Sequence, residues 1–180
     1  MSTNSVVIFP CFTHEQVKEI NKEIKKNIIE KEPQDEASAS ASKIGEFSKI
    51  QCLPELMKLI HPWLYECQLI NKMIFGYNIY WDFHLQKLNY NVYGKNGEYG
   101  WHIDASDADI VSDFKLTCLL NLSEEIYEGG EFYTVGDNKT KEFTSGKGIV
   151  FNSLIAHKVT PVTKGERITL TYWADGTPWQ

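Results

Sequence analysis

From Gly76 to Trp173 the chain is cut into short β-rich runs by polar turns. The runs are YNIYWDF, LQKLNYNVY, YGWHID, FKLTCLLNL, GEFYTV, GIVFNS, AHKVTPV and RITLTYW. Between them lie YGKNGE, YEGGE, VGDN, TSGKG and TKGE, which are turn signals. Short strands at this spacing predict a β-sandwich or barrel. The paired glycines of YEGGE predict a tight turn that needs positive φ.

The texture before Gly76 is different. Thr13 and Gln16 form a capping box pattern, and Val17, Ile20, Ile24 and Ile28 follow at helical spacing with Lys and Glu on the other faces. That predicts an amphipathic helix ending in the charged stretch EKEPQDE. ASASAS, residues 37–42, reads as a surface loop, with a flap over a site as the alternative. A second helical region, LPELMKLIHPWLYECQLINKMI, contains Pro62, which is predicted to break it in two because proline lacks the amide donor and clashes with the previous turn. The expectation is one α+β domain over residues 1–180. Its helical part covers about 1–75 and braces one face of a β core at about 76–174.

At 180 residues, 42% hydrophobic and 23% charged, the chain has the composition of a globular domain. A net charge of −6 argues against a nucleic-acid partner, because phosphate binding needs clustered Lys and Arg. Cys11, Cys52, Cys67 and Cys118 show no CxxC pairing and read as reduced core residues. No basic segment followed by an apolar stretch opens the chain, and no apolar run is bilayer-length, so a cytoplasmic, membrane-free setting is expected.

The chemistry concentrates in EYGWHIDASD, residues 98–107. In a strand, His102 and Asp104 point to the same face. They are either a buried hydrogen-bonded pair stiffening the strand, or two members of a two-His, one-carboxylate triad for a divalent metal. Of the other histidines, His14 lies in a first helical turn, His61 before a proline and His84 in a loop-like FHLQ. His157 alone falls in a late β-run that can return to the same sheet. Ten residues on, alternation puts Arg167, Thr169, Thr171 and Trp173 on one face of a strand. An arginine inside a small barrel is costly unless it meets an anion, so this face suits a dicarboxylate co-substrate. The aspartate-rich DASDADIVSD lacks the glycine and terminal glutamate of an EF-hand loop and reads as a solvated loop.

Together, LNYNVYG, EYGWHIDA, LTCLLNL, YEGGEF and GKGIVFNSLIAHKVTPVTKGERITLTYW resemble the prolyl 4-hydroxylase branch of the Fe(II)/2-oxoglutarate-dependent dioxygenases, over roughly residues 75–174. The resemblance implies a double-stranded β-helix, a jelly-roll or cupin-like barrel, braced by N-terminal helices. It implies Fe(II) held by His102, Asp104 and His157, and 2-oxoglutarate bound by Arg167 with Thr169 assisting. Tyr93 matches a tyrosine that hydrogen-bonds the co-substrate, Tyr99 one that faces the reaction centre, and Trp173 an inward tryptophan. Asn121 stands where relatives often carry a co-substrate tyrosine. Tyr99, Trp101 and Trp173 would shield the centre and grip a proline ring. The implied activity consumes O₂ and 2-oxoglutarate, with ascorbate as reductant, and hydroxylates a proline-containing protein or peptide. The same chemistry on a free amino acid or another non-prolyl substrate is the alternative, and an inactive barrel used as a binding module is a third.

Overall fold

The computed structural model describes residues 6–32, 41–81, 87–105, 113–136 and 142–177. The front of the chain forms β1 (Val6–Pro10), α1 (His14–Ile24), β2 (Ile28–Lys31), β3 (Lys43–Ile44), β4 (Glu46–Gln51) and α2 (Pro54–Ile70). After a π-helical turn at Asn71–Phe75 come β5 (Lys87–Tyr93), β6 (Glu98–His102), β7 (Phe114–Asn121), β8 (Glu128–Gly129) and β9 (Phe132–Thr134). The chain continues through β10 (Lys147–Asn152), β11 (His157–Val159), β12 (Val162–Lys164) and β13 (Arg167–Asp175).

The major sheet has the order β1-β10-β7-β13-β5-β4-β2 and the minor sheet β3-β6-β11-β9, with β12-β8 as a separate ribbon. All the pairings are antiparallel. This is the expected double-stranded β-helix, braced by two helices. Alternation divides the major sheet between two environments. Leu116, Cys118, Leu120 and Leu122 of the β7 segment, Leu88 and Tyr90 of β5, and Leu170 and Tyr172 of β13 join one apolar cluster with Val17, Ile20 and Ile24 of α1 and Leu56, Ile60, Trp63 and Leu64 of α2. The opposite faces of the same strands line a cavity between the sheets.

The predicted capping box is present: Thr13 N–H donates to Gln16 Oε1 at 2.9 Å and Gln16 N–H to Thr13 Oγ1 at 3.4 Å. Asn21 is buried on α1 and fixes the helix to the barrel, donating to Leu122 O at 2.8 Å and accepting from Tyr90 Oη–H at 3.1 Å.

Four readings of the sequence are corrected. Ile28 does not extend α1. The chain turns at Lys25–Asn27 and Ile28 pairs with Ile50 in β2 and β4, so a residue at helical spacing serves a strand. Pro62 does not break α2, which runs unbroken from Pro54 to Ile70. Pro62 and Lys58, whose carbonyl loses its donor, are both exposed, while Ile60, Trp63 and Leu64 pin the helix to the core on either side. Water can serve the freed carbonyl. The first 75 residues supply β1, β2, β3 and β4 as well as helices, and β4 is an interior strand of the major sheet. YNIYWDF yields only the isolated bridge Ile79–Gly176 within its described part.

The YEGGE turn has Gly129 at φ 73° and Gly130 at φ 64°, as read from the glycines. All four cysteines are free. No helix among the described residues is long and apolar enough to cross a membrane. Residues 33–40 of the loop that includes most of ASASAS, His84, residues 106–112 of the aspartate-rich run and Trp179 lie outside the described residues.

Candidate metal and co-substrate site

The minor sheet places the two histidines side by side. His157 of β11 is the direct antiparallel partner of His102 of β6, and the ring centroids are 4.1 Å apart. Asp104, just past β6, reaches back between them: Oδ1 is 3.7 Å from His102 Nε2 and Oδ2 is 3.6 Å from His157 Nε2. The donor atoms of His102, Asp104 and His157 all lie within 4.8 Å of one another. Among the described residues no other group of three metal-binding side chains gathers this way.

Each imidazole is oriented by a carbonyl two residues earlier. His102 Nδ1 lies 2.7 Å from Gly100 O, and His157 Nδ1 lies 3.0 Å from Ile155 O. A carbonyl only accepts, so each Nδ1 carries the proton and each Nε2 presents its lone pair toward Asp104. The His102 pKa is lowered to about 4, first by burial and then by His157 beside it. Two imidazoles beside one carboxylate are the donor set for a divalent first-row metal.

Tyr99 and His102 both line the cavity although they are three residues apart, which simple alternation forbids. The register accounts for it. Val159 and His157 are two apart on β11, yet they pair with Tyr99 and His102, so β6 holds one extra residue. Such a bulge re-aims side chains. The Tyr99 ring stacks on His102 at 3.5 Å and 11°. Burial, then the charge of Asp104, pushes the Tyr99 hydroxyl up to about 12. Trp101, next to His102 on the strand, points outward by alternation. It is 46% exposed with Lys158 Nζ 5.0 Å from its ring, so it neither shields the centre nor grips a substrate from within.

The major sheet supplies the other wall. Arg167, Thr169, Thr171 and Trp173 face the cavity from β13, as alternation predicts, and Tyr93, the partner of Arg167, faces it from β5. Arg167 is 1% exposed, and neither Nε nor Nη2 has a hydrogen-bond partner among the protein groups. Its guanidinium lies 5.2 Å from the Tyr93 ring and 5.7 Å from the Phe143 ring. Two aromatic rings nearby and no paired carboxylate among the described residues leave the fork shaped for an anion that enters from the cavity. Burial raises the Tyr93 hydroxyl well above its ordinary range despite the nearby guanidinium. The glycine turn helps to set this corner: a Cβ at Gly130 would stand 3.0 Å from Arg167 Cδ.

Asn121 is a correction. Its side chain is fully buried but does not line the cavity. Its amide donates to Phe143 O at 2.6 Å and Tyr127 Oη at 3.1 Å, and its carbonyl accepts from Ser123 N–H at 2.9 Å. It holds the end of β7 to the neighbouring loops.

The sequence reading missed Asn89, Asn91, Thr117, Phe47 and Lys43, all of which line the cavity. For the asparagines the signal was present. KLNYNVY alternates Leu88, Tyr90 and Val92 with Asn89, Asn91 and Tyr93, which marks a polar inner face. Lys43 and Phe47 carried no such signal, because only the packing of β3 and β4 brings them near. The cavity is narrow, about 60 Å³. A wider one of about 690 Å³ lies beyond Phe132 and Phe143, but it contains neither His102, Asp104 nor His157, so size alone does not mark the chemistry.

The chain is similar to known proteins over the segment that carries this site. The sequence model of the 2OG-Fe(II) oxygenase superfamily matches residues 88–175. A PKHD-type hydroxylase of Alteromonas mediterranea is 39% identical over 94 residues, covering 47% of this chain and 41% of that protein. The chain thus spans about two fifths of that relative's length. Among solved structures, a Pseudomonas putida prolyl-4-hydroxylase superposes with a TM-score of 0.70 at 18% identity, covering 98% of this chain and 95% of that one. A Trichoplax adhaerens prolyl hydroxylase, solved with a hypoxia inducible factor oxygen degradation domain peptide fragment, superposes with a TM-score of 0.69 at 18% identity, covering 97% and 84%. The matched segment contains every strand that presents His102, Asp104, His157 and Arg167 to the cavity, and over that segment the chain is similar to the 2OG-Fe(II) oxygenase superfamily.

Proposed function

We propose that this chain is an Fe(II)- and 2-oxoglutarate-dependent hydroxylase of peptidyl proline. In this reading His102, Asp104 and His157 hold the metal, Arg167 binds the distal carboxylate of 2-oxoglutarate, and ascorbate serves as reductant. The observation that carries it is the shared cavity. A buried guanidinium with two unpartnered nitrogens stands in the same narrow space as a His-Asp-His donor set. The bound iron and 2-oxoglutarate supply the oxidising chemistry, in which O₂ and 2-oxoglutarate give succinate and CO₂ while a substrate C–H becomes C–OH.

The protein's own residues orient and exclude. The carbonyls of Gly100 and Ile155 hold both Nε2 atoms toward the metal position. Tyr93 and Phe143 flank the guanidinium and keep water from it. Thr169, 2% exposed and one strand step from Arg167, offers a hydroxyl to the same carboxylate. Tyr99, stacked on His102, closes the imidazole face, and Trp173 closes the wall of β13 at the far end from Arg167. The prolyl assignment is supported by the fold shared with prolyl hydroxylases and by sequence similarity to a PKHD-type hydroxylase.

A specific observation favours a second reading, the same chemistry on a small polar substrate. Asn89, Asn91 and Thr171 form a polar stretch of wall. Asn91 donates to Thr171 Oγ1 at 3.0 Å, while its buried Oδ1 has no partner. That acceptor suits a substrate bearing an N–H or O–H group.

The test is succinate release from 2-oxoglutarate, followed by NMR with Fe(II), ascorbate and pooled proline-containing peptides, with His157→Ala as the blank. Peptide-stimulated release, with hydroxyproline found by mass spectrometry, is expected. Release that only small polar substrates stimulate selects the second reading. No release under any iron and ascorbate condition overturns both.

A further inference from the structure

We propose that Thr117 and Ser153 form a positioning relay for Asp104 that fixes the rotation of its carboxylate between the two imidazoles. The inference rests on the reading of His102, Asp104 and His157 as a metal site. Neither residue belongs to the donor set, and neither stood out in the sequence.

Thr117 Oγ1 donates to Asp104 Oδ2 at 2.6 Å and lies 3.0 Å from Ser153 Oγ. An ionised carboxylate only accepts, so the single Thr117 hydroxyl proton is committed to Asp104. The Ser153 hydroxyl must then be the donor to Thr117, which fixes the direction of the chain from Ser153 through Thr117 to Asp104. Thr117 is 1% exposed and Ser153 fully buried, so solvent does not substitute for either hydroxyl.

Ser153 also holds the Asp104 backbone. Its carbonyl accepts from Asp104 N–H at 3.1 Å and Ala105 N–H at 3.2 Å, and its own N–H donates to Lys115 O at 3.1 Å on β7. Asp104 needs this hold because β6 ends at His102. No strand ladder orients the aspartate, whereas each histidine is set by its strand and its carbonyl. Ser153 lies in the turn between β10 and β11, four residues before His157. One turn therefore delivers His157 and anchors Asp104 by both backbone and side chain. With Oδ2 held by Thr117, the carboxylate is fixed with Oδ1 toward His102 Nε2 and Oδ2 toward His157 Nε2.

The test is binding of metal alone to the full chain stripped of metal. Mn(II) affinity is read by electron paramagnetic resonance and the coordination of Co(II) by its visible absorption. Thr117→Val keeps the side-chain volume and removes the donor; Thr117→Ser keeps the hydroxyl; Ser153→Ala removes only the second donor. Thr117→Val is expected to weaken Mn(II) binding by about 10- to 100-fold, the usual effect of losing a partner that orients a ligand, and to alter the Co(II) spectrum. Thr117→Ser is expected to bind as wild type does and Ser153→Ala to fall between. A folded Thr117→Val with wild-type Mn(II) affinity and Co(II) spectrum overturns the relay, as does Thr117→Ser binding as weakly as Thr117→Val. If Thr117→Val does not fold, Ser153→Ala decides: unchanged Mn(II) affinity overturns the relay. Wild-type protein that binds no Mn(II) removes the metal reading itself, and the relay with it.

Discussion

Replacing Arg167 by methionine should make the protein more stable and unable to respond to 2-oxoglutarate. The side chain is 1% exposed, and its Nε and Nη2 have no protein partner. Each buried donor left unmade costs about 1–3 kcal/mol. Guanidinium contacts with the Tyr93 and Phe143 rings return about 0.5–2 kcal/mol each. The difference favours a methionine of similar length by about 1–2 kcal/mol, or roughly 2–8 °C in melting temperature for a chain of this size. Ligand reverses the order. At a hundred times its dissociation constant, 2-oxoglutarate adds about 2.7 kcal/mol to the wild type and nothing to Arg167→Met. Thermal unfolding by circular dichroism, with Mn(II) in place of Fe(II) and with and without 2-oxoglutarate, measures both. If the ligand-free variant loses more than about 2 kcal/mol, the side chain holds the barrel together and the accounting of its unmade donors is wrong. If the variant gains as much from 2-oxoglutarate as the wild type, the carboxylate is anchored elsewhere.

Three further outcomes are expected. Since the folded His102 pKa is about 4 against an ordinary 6.5, the unfolded chain binds more protons between those values. The metal-free protein should therefore hold its full His102 contribution above pH 6.5 and lose about 3 kcal/mol as pH falls toward 4, which urea titrations across that window would show. Gly130→Ala should cost about 1–2 kcal/mol, because φ is 64° and the new methyl meets Arg167 Cδ and Val162 Cγ2. By displacing Arg167 it should also weaken 2-oxoglutarate binding by calorimetry, and unchanged binding would dissociate the turn from the site. Pro62→Ala should stabilise the protein by about 2 kcal/mol, the interior-helix penalty of proline less the freedom returned to the unfolded chain. A urea midpoint that falls instead would show that the proline suits α2 better than alanine does.

Local pattern determined a good deal here. Period-two alternation in RITLTYW placed Arg167, Thr169, Thr171 and Trp173 on the inner face, because a strand has only two faces and one of them must meet the helices. The capping box and the glycine turn followed from atoms within a few residues, whereas Asp104 joins His102 although it lies past the end of β6, held there by Ser153 and Thr117. Local pattern failed where the outcome depended on distant partners. Ile28 sits at helical spacing, yet pairing with Ile50 claims it for a strand. Pro62 breaks isolated helices, yet Ile60, Trp63 and Leu64 hold α2 unbroken through it because the core lies on one side and water on the other. The bulge in β6 depends on the register with β11, and it brings Tyr99 onto the face of His102. Asn121 pointed inward by alternation, but Phe143, Tyr127 and Ser123 take its hydrogen bonds. Thr117 and Ser153 meet Asp104 from 13 and 49 positions away, spacings that no local pattern registers. The donor types were thus written in the chain, while their aim was set by register and by long-range hydrogen bonds, which exist only once the two sheets face each other.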